Sequence, residues 1–112
     1  MSAAVPGVIV TTANEVAGYR IAEYKGVVRG LVVRATSVMS GITGGLKSLL
    51  GGNIEEYERV CEQARDEAFR RMVAHARQHG ADAVIAMRYD ATEFVQGSTE
   101  VLAYGTAVKL AR

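Results

Sequence analysis

The chain has 112 residues, a length typical of one domain whose core needs neither disulfides nor a structural metal. Its 13 basic and 12 acidic residues leave a net charge of +1 without blocks of like charge, which argues against nucleic-acid and membrane partners. A single cysteine excludes an intrachain disulfide framework, and no signal-like or membrane-spanning apolar run is present in the sequence. We therefore expect one cytoplasmic domain over residues 1–112, with residues 1–7 as a flexible tail.

The first third of the chain predicts strands. Residues 8–12 are all β-branched and follow Pro6-Gly7, which indicates a short strand, and residues 14–18 form a turn. Residues 19–34 are rich in valine and are interrupted by Gly26 and Gly30. Glycine inside a strand marks a bulge or a close backbone approach, so this segment predicts one long bent strand or two short ones.

A glycine-rich stretch over residues 36–53 predicts a short helix between flexible hinges. Leu46, Leu49 and Leu50 are spaced at i, i+3 and i+4, which gives an apolar stripe too short to be stable without a partner surface. Residues 41–48 approximate the phosphate-binding pattern G-x-x-x-x-G-K-[ST]. Leu46 stands where that pattern requires its second glycine, so we interpret the stretch as a packing element and not as a nucleotide site.

A long amphipathic helix follows, with Asn53 as its N-cap and Gly80 just beyond its end. Acidic residues precede basic ones at i, i+4 in Glu55–Arg59, Asp66–Arg70 and Glu67–Arg71, and each such pair predicts a surface ion pair. The spacing predicts that one face is apolar, formed by Tyr57, Val60, Cys61, Ala64, Ala68 and Met72. On this face Cys61 is expected to be a buried and unreactive thiol.

Beyond Gly80, Asp82 is expected to accept hydrogen bonds from main-chain amides, and residues 83–94 alternate like a strand. A turn over residues 96–98 and a last strand over residues 99–110 complete a hairpin. The order of elements predicts an α+β domain of two layers, in which one long helix covers a mainly antiparallel sheet. The predicted alternation places Ala83, Ile85, Met87 and Tyr89 on one face, and Val84, Ala86, Arg88 and Asp90 on the other.

His75 and His79 are the candidate metal ligands of this chain. Their i, i+4 spacing lets two imidazoles on one helix face share a metal ion. Cys61 lies 14 residues before His75, about 21 Å along a helix axis, so it cannot complete the same site within one subunit. Two interpretations stay open, namely packed or capping histidines and a transition-metal site shared between subunits.

Several segments along the chain form one ordered pattern, namely Thr11-Thr12, Gly18-Tyr19-Arg20-Ile21, Gly26-Val27-Val28, Gly51-Gly52 with Tyr57, Ala64-Arg65, Gly80-Ala81-Asp82-Ala83-Val84 and Gly105-Thr106-Ala107-Val108. Together they resemble a known family, the YbjQ-like family. The resemblance covers nearly the whole chain and implies a dodecin-like α+β subunit that assembles into a homopentameric ring, in which additional short strands help to join the subunits. It also implies a heavy-metal-binding role, although the soft ligands of this chain lie outside the matching segments.

The sequence contains no pair of carboxylates, triad or nucleophile elbow that predicts a reaction. Our first hypothesis is therefore a cytoplasmic, non-catalytic homo-oligomer, pentameric by resemblance, that binds a metal ion or a small ligand between subunits. The alternative is a small enzyme whose composite site forms only between subunits. The candidate interface residues are Leu46, Leu49, Leu50, Tyr57, Arg65, Arg88 and Asp90.

Overall fold

The computed structural model describes residues 4–5, 7–35, 54–95 and 97–112. One helix packs on one face of a sheet whose strands are ordered β1-β2-β4-β5-β3, which confirms the predicted α+β architecture. Among the described residues the sheet is open, with β1 and β3 as its outermost strands. The elements are β1 (Ala4–Val5), β2 (Val8–Val10), β3 (Arg20–Ala35), α1 (Ile54–Gln78), β4 (Ala83–Val95) and β5 (Ser98–Ala111).

The sheet is mainly antiparallel, as predicted. The central strand β5 lies antiparallel to β3 over almost its whole length and antiparallel to β4 on its other side. The short strand β2 runs parallel to the start of β4, where Ile9 and Val10 pair with Ala83 and Val84. β1 then pairs with β2 in an antiparallel arrangement, so the sheet is mixed at this edge.

Helix α1 ends in a Schellman motif at Gly80. The amide of Gly80 donates to the Arg77 oxygen at 2.9 Å, and the amide of Ala81 donates to the Ala76 oxygen at 3.1 Å. Gly80 has a φ of 71°, a value at which glycine avoids the steric penalty of a Cβ atom. The predicted helix stop is therefore confirmed, and the chain enters β4 three residues later.

The two glycines inside β3 have different structural roles. Gly26 has a φ of 107° and lies at a register shift between β3 and β5, so it forms a bulge. Gly30 lies directly beneath α1, where an added Cβ atom would meet the Ala68 oxygen and would lie 2.5 Å from the Met72 nitrogen. The segment is one long strand, and its glycines allow it to bend and to contact the helix closely.

The main core fills the space between α1 and the sheet. Its helix residues are small apart from Met72, which allows the close approach that Gly30 also requires. We call the sheet face that contacts α1 the inner face and the opposite one the outer face. The buried core residues are Val8, Val10, Val28, Val32, Ala64, Ala68, Met72, Val73, Ala76, Ala81, Val84, Met87, Val101, Ala103 and Ala107.

A bulge in β4 overturns the predicted alternation of that strand. The pairing with β5 shifts between Ile85 and Arg88, and Ala86 adopts a φ of 52°, which is unusual for a residue other than glycine. One extra residue at this point reverses the phase, because side chains alternate strictly along a regular strand. Met87 therefore joins Val84 in the inner core instead of sharing a face with Ile85.

The predicted burial of Cys61 is also wrong, because the side chain is exposed. Among the α1 side chains that are described, Ala64 is the first buried one, and none of the described side chains before it belongs to the core. Among the described helices, none is long and apolar enough to span a bilayer.

Some predictions lie outside the described residues. They are the short helix over residues 36–53, the interface candidates Leu46, Leu49 and Leu50, the cap Asn53 and the side chain of Tyr57.

Candidate functional site

The two candidate metal ligands lie close together near the end of α1. Their ring centroids are 4.9 Å apart and the ring planes are inclined by 56°. The rings are thus neighbours, as the i, i+4 spacing predicts. His75 is half-buried, whereas His79 is exposed in the turn after the helix.

His75 also contacts the outermost strand of the sheet, which sequence reasoning missed. Nδ1 of His75 accepts a hydrogen bond of 3.1 Å from the main-chain amide of Arg29 in β3. One turn earlier in α1, Arg71 donates a 2.7 Å hydrogen bond to the main-chain oxygen of Leu31. Both side chains therefore satisfy main-chain groups that point away from β5, on the edge of β3 that no described strand pairs with.

The chemistry of this histidine pair limits what it can bind. A neutral imidazole that binds a metal through one nitrogen carries its proton on the other. Nδ1 of His75 already accepts an N–H group, so coordination through Nε2 would place a proton on Nδ1 opposite the Arg29 amide. Among the described residues there is also no group of three or more histidine, cysteine, aspartate or glutamate side chains that could hold a metal ion. The donor set is therefore incomplete within this part of one subunit.

The interface candidate Arg65 contacts a tyrosine on the inner face of the sheet. Its guanidinium carbon lies 5.5 Å from the ring centroid of Tyr89, a distance typical of a cation–π contact. Burial raises the pKa of the Tyr89 hydroxyl, and the charge of Arg65 partly opposes that effect. The sequence did not predict this pair, because the bulge at Ala86 decides which face Tyr89 occupies.

The interface candidate Arg88 lies on the outer face, where it holds a loop against the bulge of β4. Its Nη1 atom donates to the main-chain oxygens of Thr12 and Met87, at 3.0 and 2.8 Å. The main chain of the same loop accepts the amides of Ala86 and Met87, through the oxygens of Ala13 and Thr11. The two main-chain bonds satisfy the amides of Ala86 and Met87, which the bulge turns away from β5.

Asp90, the remaining described candidate, accepts the amide of Ala91 at 3.0 Å through one carboxylate oxygen. The structure brings Arg65 to the inner face, and places Arg88 and Asp90 on the outer face. These residues therefore do not converge on one reacting centre within a subunit.

Comparison with known proteins identifies relatives along most of the chain. A family model for YbjQ, described as putative heavy-metal-binding, matches residues 8–111. A "UPF0145 protein" of Chromobacterium violaceum is 57% identical over 105 residues, which cover 94% of this chain and 90% of the relative. A "UPF0145 protein" of Solibacter usitatus is 53% identical over 106 residues, which cover 95% of each protein.

A solved structure shares the fold. It is the crystal structure of a protein of unknown function in the DUF74 family, from Pediococcus pentosaceus. The two chains superpose with a TM-score of 0.61 at 24% sequence identity, over 94% of this chain and 99% of that one. This likeness concerns the fold alone.

Proposed function

The chain belongs to the YbjQ family described as putative heavy-metal-binding, and from this premise we propose that it is a non-catalytic cytoplasmic subunit that functions as a homo-oligomer. We further propose a dodecin-like pentameric ring that holds a metal ion or a small ligand between subunits. The relatives carry no enzymatic name. In addition, the described interface candidates make structural contacts within the chain and do not assemble a catalytic set.

The observation that carries the proposal is the amount of apolar side chain left in water. On the outer face of β3, Val27 is 66% exposed and Val33 is 50% exposed, although valines on the inner face are buried. At the far end of the β4–β5 hairpin, Phe94 and Val95 are each 55% exposed. Leu31, which is 41% exposed, adjoins Val33 on the outer face, and adjacent exposed apolar residues on a sheet are typical of a surface that binds another protein.

The edge of β4 supports the same proposal. The β2 strand pairs with β4 only at Ala83 and Val84, and the loop after β2 extends this cover to Met87. From Arg88 to Val95 the strand is exposed and has β5 as its only strand partner in the described part of the chain. Unpaired strand edges favour association with another chain, so a ring would bury groups that a lone subunit exposes.

The proposed assembly is tested by analytical ultracentrifugation of the full chain at micromolar concentration. We expect a single species with the mass of a pentamer. A species with the mass of one chain at these concentrations would contradict the proposal. Fractionation of cells that produce the protein tests the cytoplasmic location, for which we expect recovery with cytosolic markers.

The proposed metal site is tested with Zn²⁺ and Cu²⁺ as probes. After dialysis, elemental analysis of the assembled protein should show bound metal in a fixed ratio to subunits, and His75→Ala combined with His79→Ala should remove it. Because neither histidine is fully buried, this double variant is expected to remain folded, which circular dichroism checks. Unchanged metal content in the folded double variant would exclude these two residues as ligands.

A further inference from the structure

The outer face of the sheet carries two arginines on either side of a tyrosine. The strand register pairs Tyr104 of β5 with Arg29 of β3 on one side and with Arg88 of β4 on the other. Residues paired in this way project from the same face, so the three side chains form one row across the sheet. The Cα atoms of the two arginines are separated by two strand spacings, about 10 Å.

Neither arginine of this row has an acidic partner among the described residues. The Arg29 side chain is exposed, and none of the ion pairs formed in this part of the chain includes Arg29 or Arg88. The Arg88 contacts described above engage Nη1, which leaves Nε and Nη2 without a described partner. Leu31, Leu102 and Asp90 occupy the next row of the same face. Arg29 therefore lies beside apolar side chains, whereas Arg88 has a carboxylate two residues away on its own strand.

A complementary acidic stripe lies on the first turns of α1. Glu55, Glu58 and Glu62 are spaced at i, i+3 and i+7, which places them on one helix face. All three are exposed, and none forms an ion pair with a described residue. The predicted pair between Glu55 and Arg59 is not formed, in contrast to the pairs of Asp66 with Arg70 and Glu67 with Arg71.

The stripe and the row cannot meet within one chain, because α1 packs on the inner face and the row lies on the outer face. Their dimensions nevertheless match. Glu55 and Glu62 are seven residues apart, which is about 10.5 Å along the helix axis and close to the separation of the two arginines. A helix laid across the strands of another copy could therefore pair each end of its stripe with one arginine.

We propose that the acidic stripe Glu55/Glu58/Glu62 of one copy docks on the row Arg29–Tyr104–Arg88 of a second copy. This inference rests on the self-association proposed above and assigns it to two surfaces. Because the two surfaces differ, the contact is heterologous, and repetition of it closes a ring when the rotation between copies permits. The ion pairs would orient the copies, while the surrounding leucines and valines would lose contact with water.

A charge-reversal cycle in the full-length protein tests this contact. Arg29→Glu and Glu62→Arg, each alone, should weaken the assembly about tenfold or more in dissociation constant, because like charges then face each other. Depending on the direction of the docked helix, either Arg29→Glu with Glu62→Arg or Arg88→Glu with Glu62→Arg restores the opposite charges. One of these two double variants should recover most of the affinity. Sedimentation equilibrium measures the constants, and circular dichroism confirms that each variant is folded.

Arg34→Glu is the matched control, because Arg34 is exposed on the same strand but on its opposite face. It should leave the dissociation constant unchanged. The assigned surfaces would be overturned if the oligomer tolerated both single reversals, or if neither double variant were tighter than the singles. The proposed self-association would remain in either case. A monomeric wild type would overturn both.

Discussion

The imidazole of His75 accepts a hydrogen bond of 3.1 Å from the main-chain amide of Arg29, so a helix side chain satisfies a main-chain donor at the edge of the outermost strand. Arg71 does the same for the oxygen of Leu31, two residues further along β3. Strand edges invite pairing with other chains, and natural proteins cover them in several ways. In this chain the helix that covers the inner face also covers one stretch of the edge. Arg71 and His75 are one helical turn apart in α1, so both side chains reach this stretch.

Removal of this contact should be measurable as a loss of stability. We expect His75→Ala to lower the free energy of unfolding by about 0.5–1.5 kcal/mol, the usual net value of one hydrogen bond whose donor can reach water. Urea denaturation followed by circular dichroism measures the change. His79→Ala is the matched control, since that side chain is exposed and makes no described hydrogen bond, and it should change stability by less than half as much.

Gly30→Ala tests the close approach of α1 to β3. A Cβ atom at this position would lie 2.5 Å from the Met72 nitrogen and 2.8 Å from Cβ of Arg71, so the helix backbone would have to move. Overpacking of this kind costs about 1–3 kcal/mol or more, and we expect a loss of at least 2 kcal/mol in urea denaturation. Arg34→Ala on the same strand changes an exposed side chain outside the proposed interface and should cost less than about 1 kcal/mol. Equal losses of stability in the two variants would show that a Cβ atom at position 30 does not overlap with the helix.

The sequence predicted those features that have a local cause. Gly80 stops the helix because a left-handed conformation there favours glycine, and the glycines of β3 signal its bend and its contact with α1. The phase of β4 could not be predicted, because its bulge is formed by Ala86, a residue without a turn signature. The error at this single residue placed Met87 and Tyr89 on the wrong face.

The candidate site was predicted less well than the fold, and for a related reason. The spacing of His75 and His79 correctly placed the two rings together. Their relation to Arg29 depends on which strand lies at the edge and how α1 crosses it, which only the tertiary structure decides. Periodicity also placed Cys61 on the apolar stripe, but its side chain is exposed, because spacing along a helix does not determine which turns pack on the sheet.

Asp82 makes the stability of the fold depend on pH. Its pKa lies below the ordinary value of 3.8, chiefly because the carboxylate accepts the Leu110 amide at 2.8 Å; partial burial opposes this shift, and Lys109 assists it. The unfolded chain therefore takes up this proton at a higher pH than the folded one. The stabilisation is complete above the unfolded pKa and is lost as the pH falls through the folded pKa.

We therefore expect Asp82→Asn to be less stable than the wild type at neutral pH, and equally stable once the pH is below the folded pKa. The difference should remain below about 1 kcal/mol, because the Asp82 side chain is 40% exposed and solvent screens its interactions. Urea titrations at a series of pH values between about 2 and 7 measure it. A difference that stays constant across this range would assign the effect to geometry and not to charge.

Arg65 should influence the titration of Tyr89. Burial raises the pKa of this phenol, while the positive charge of Arg65 favours the ionised form. Arg65→Met keeps much of the side-chain volume and removes the charge, so the pKa of Tyr89 should rise further. Difference spectra in the near ultraviolet, with Tyr89→Phe as the reference that isolates this tyrosine, measure the shift. An unchanged or lower pKa would contradict the cation–π contact.

Ala86→Gly should stabilise the protein, although glycine usually weakens a strand. Ala86 has a φ of 52°, where a Cβ atom costs about 1 kcal/mol and glycine has no such penalty. After the greater chain entropy of glycine is subtracted, we expect a net gain of up to about 0.5 kcal/mol. Ala91→Gly in the regular part of β4 is the matched control and should lose about 0.5–1 kcal/mol. Urea denaturation measures whether each variant gains or loses free energy of unfolding. A loss of equal size in both variants would show that the bulge does not strain the alanine backbone.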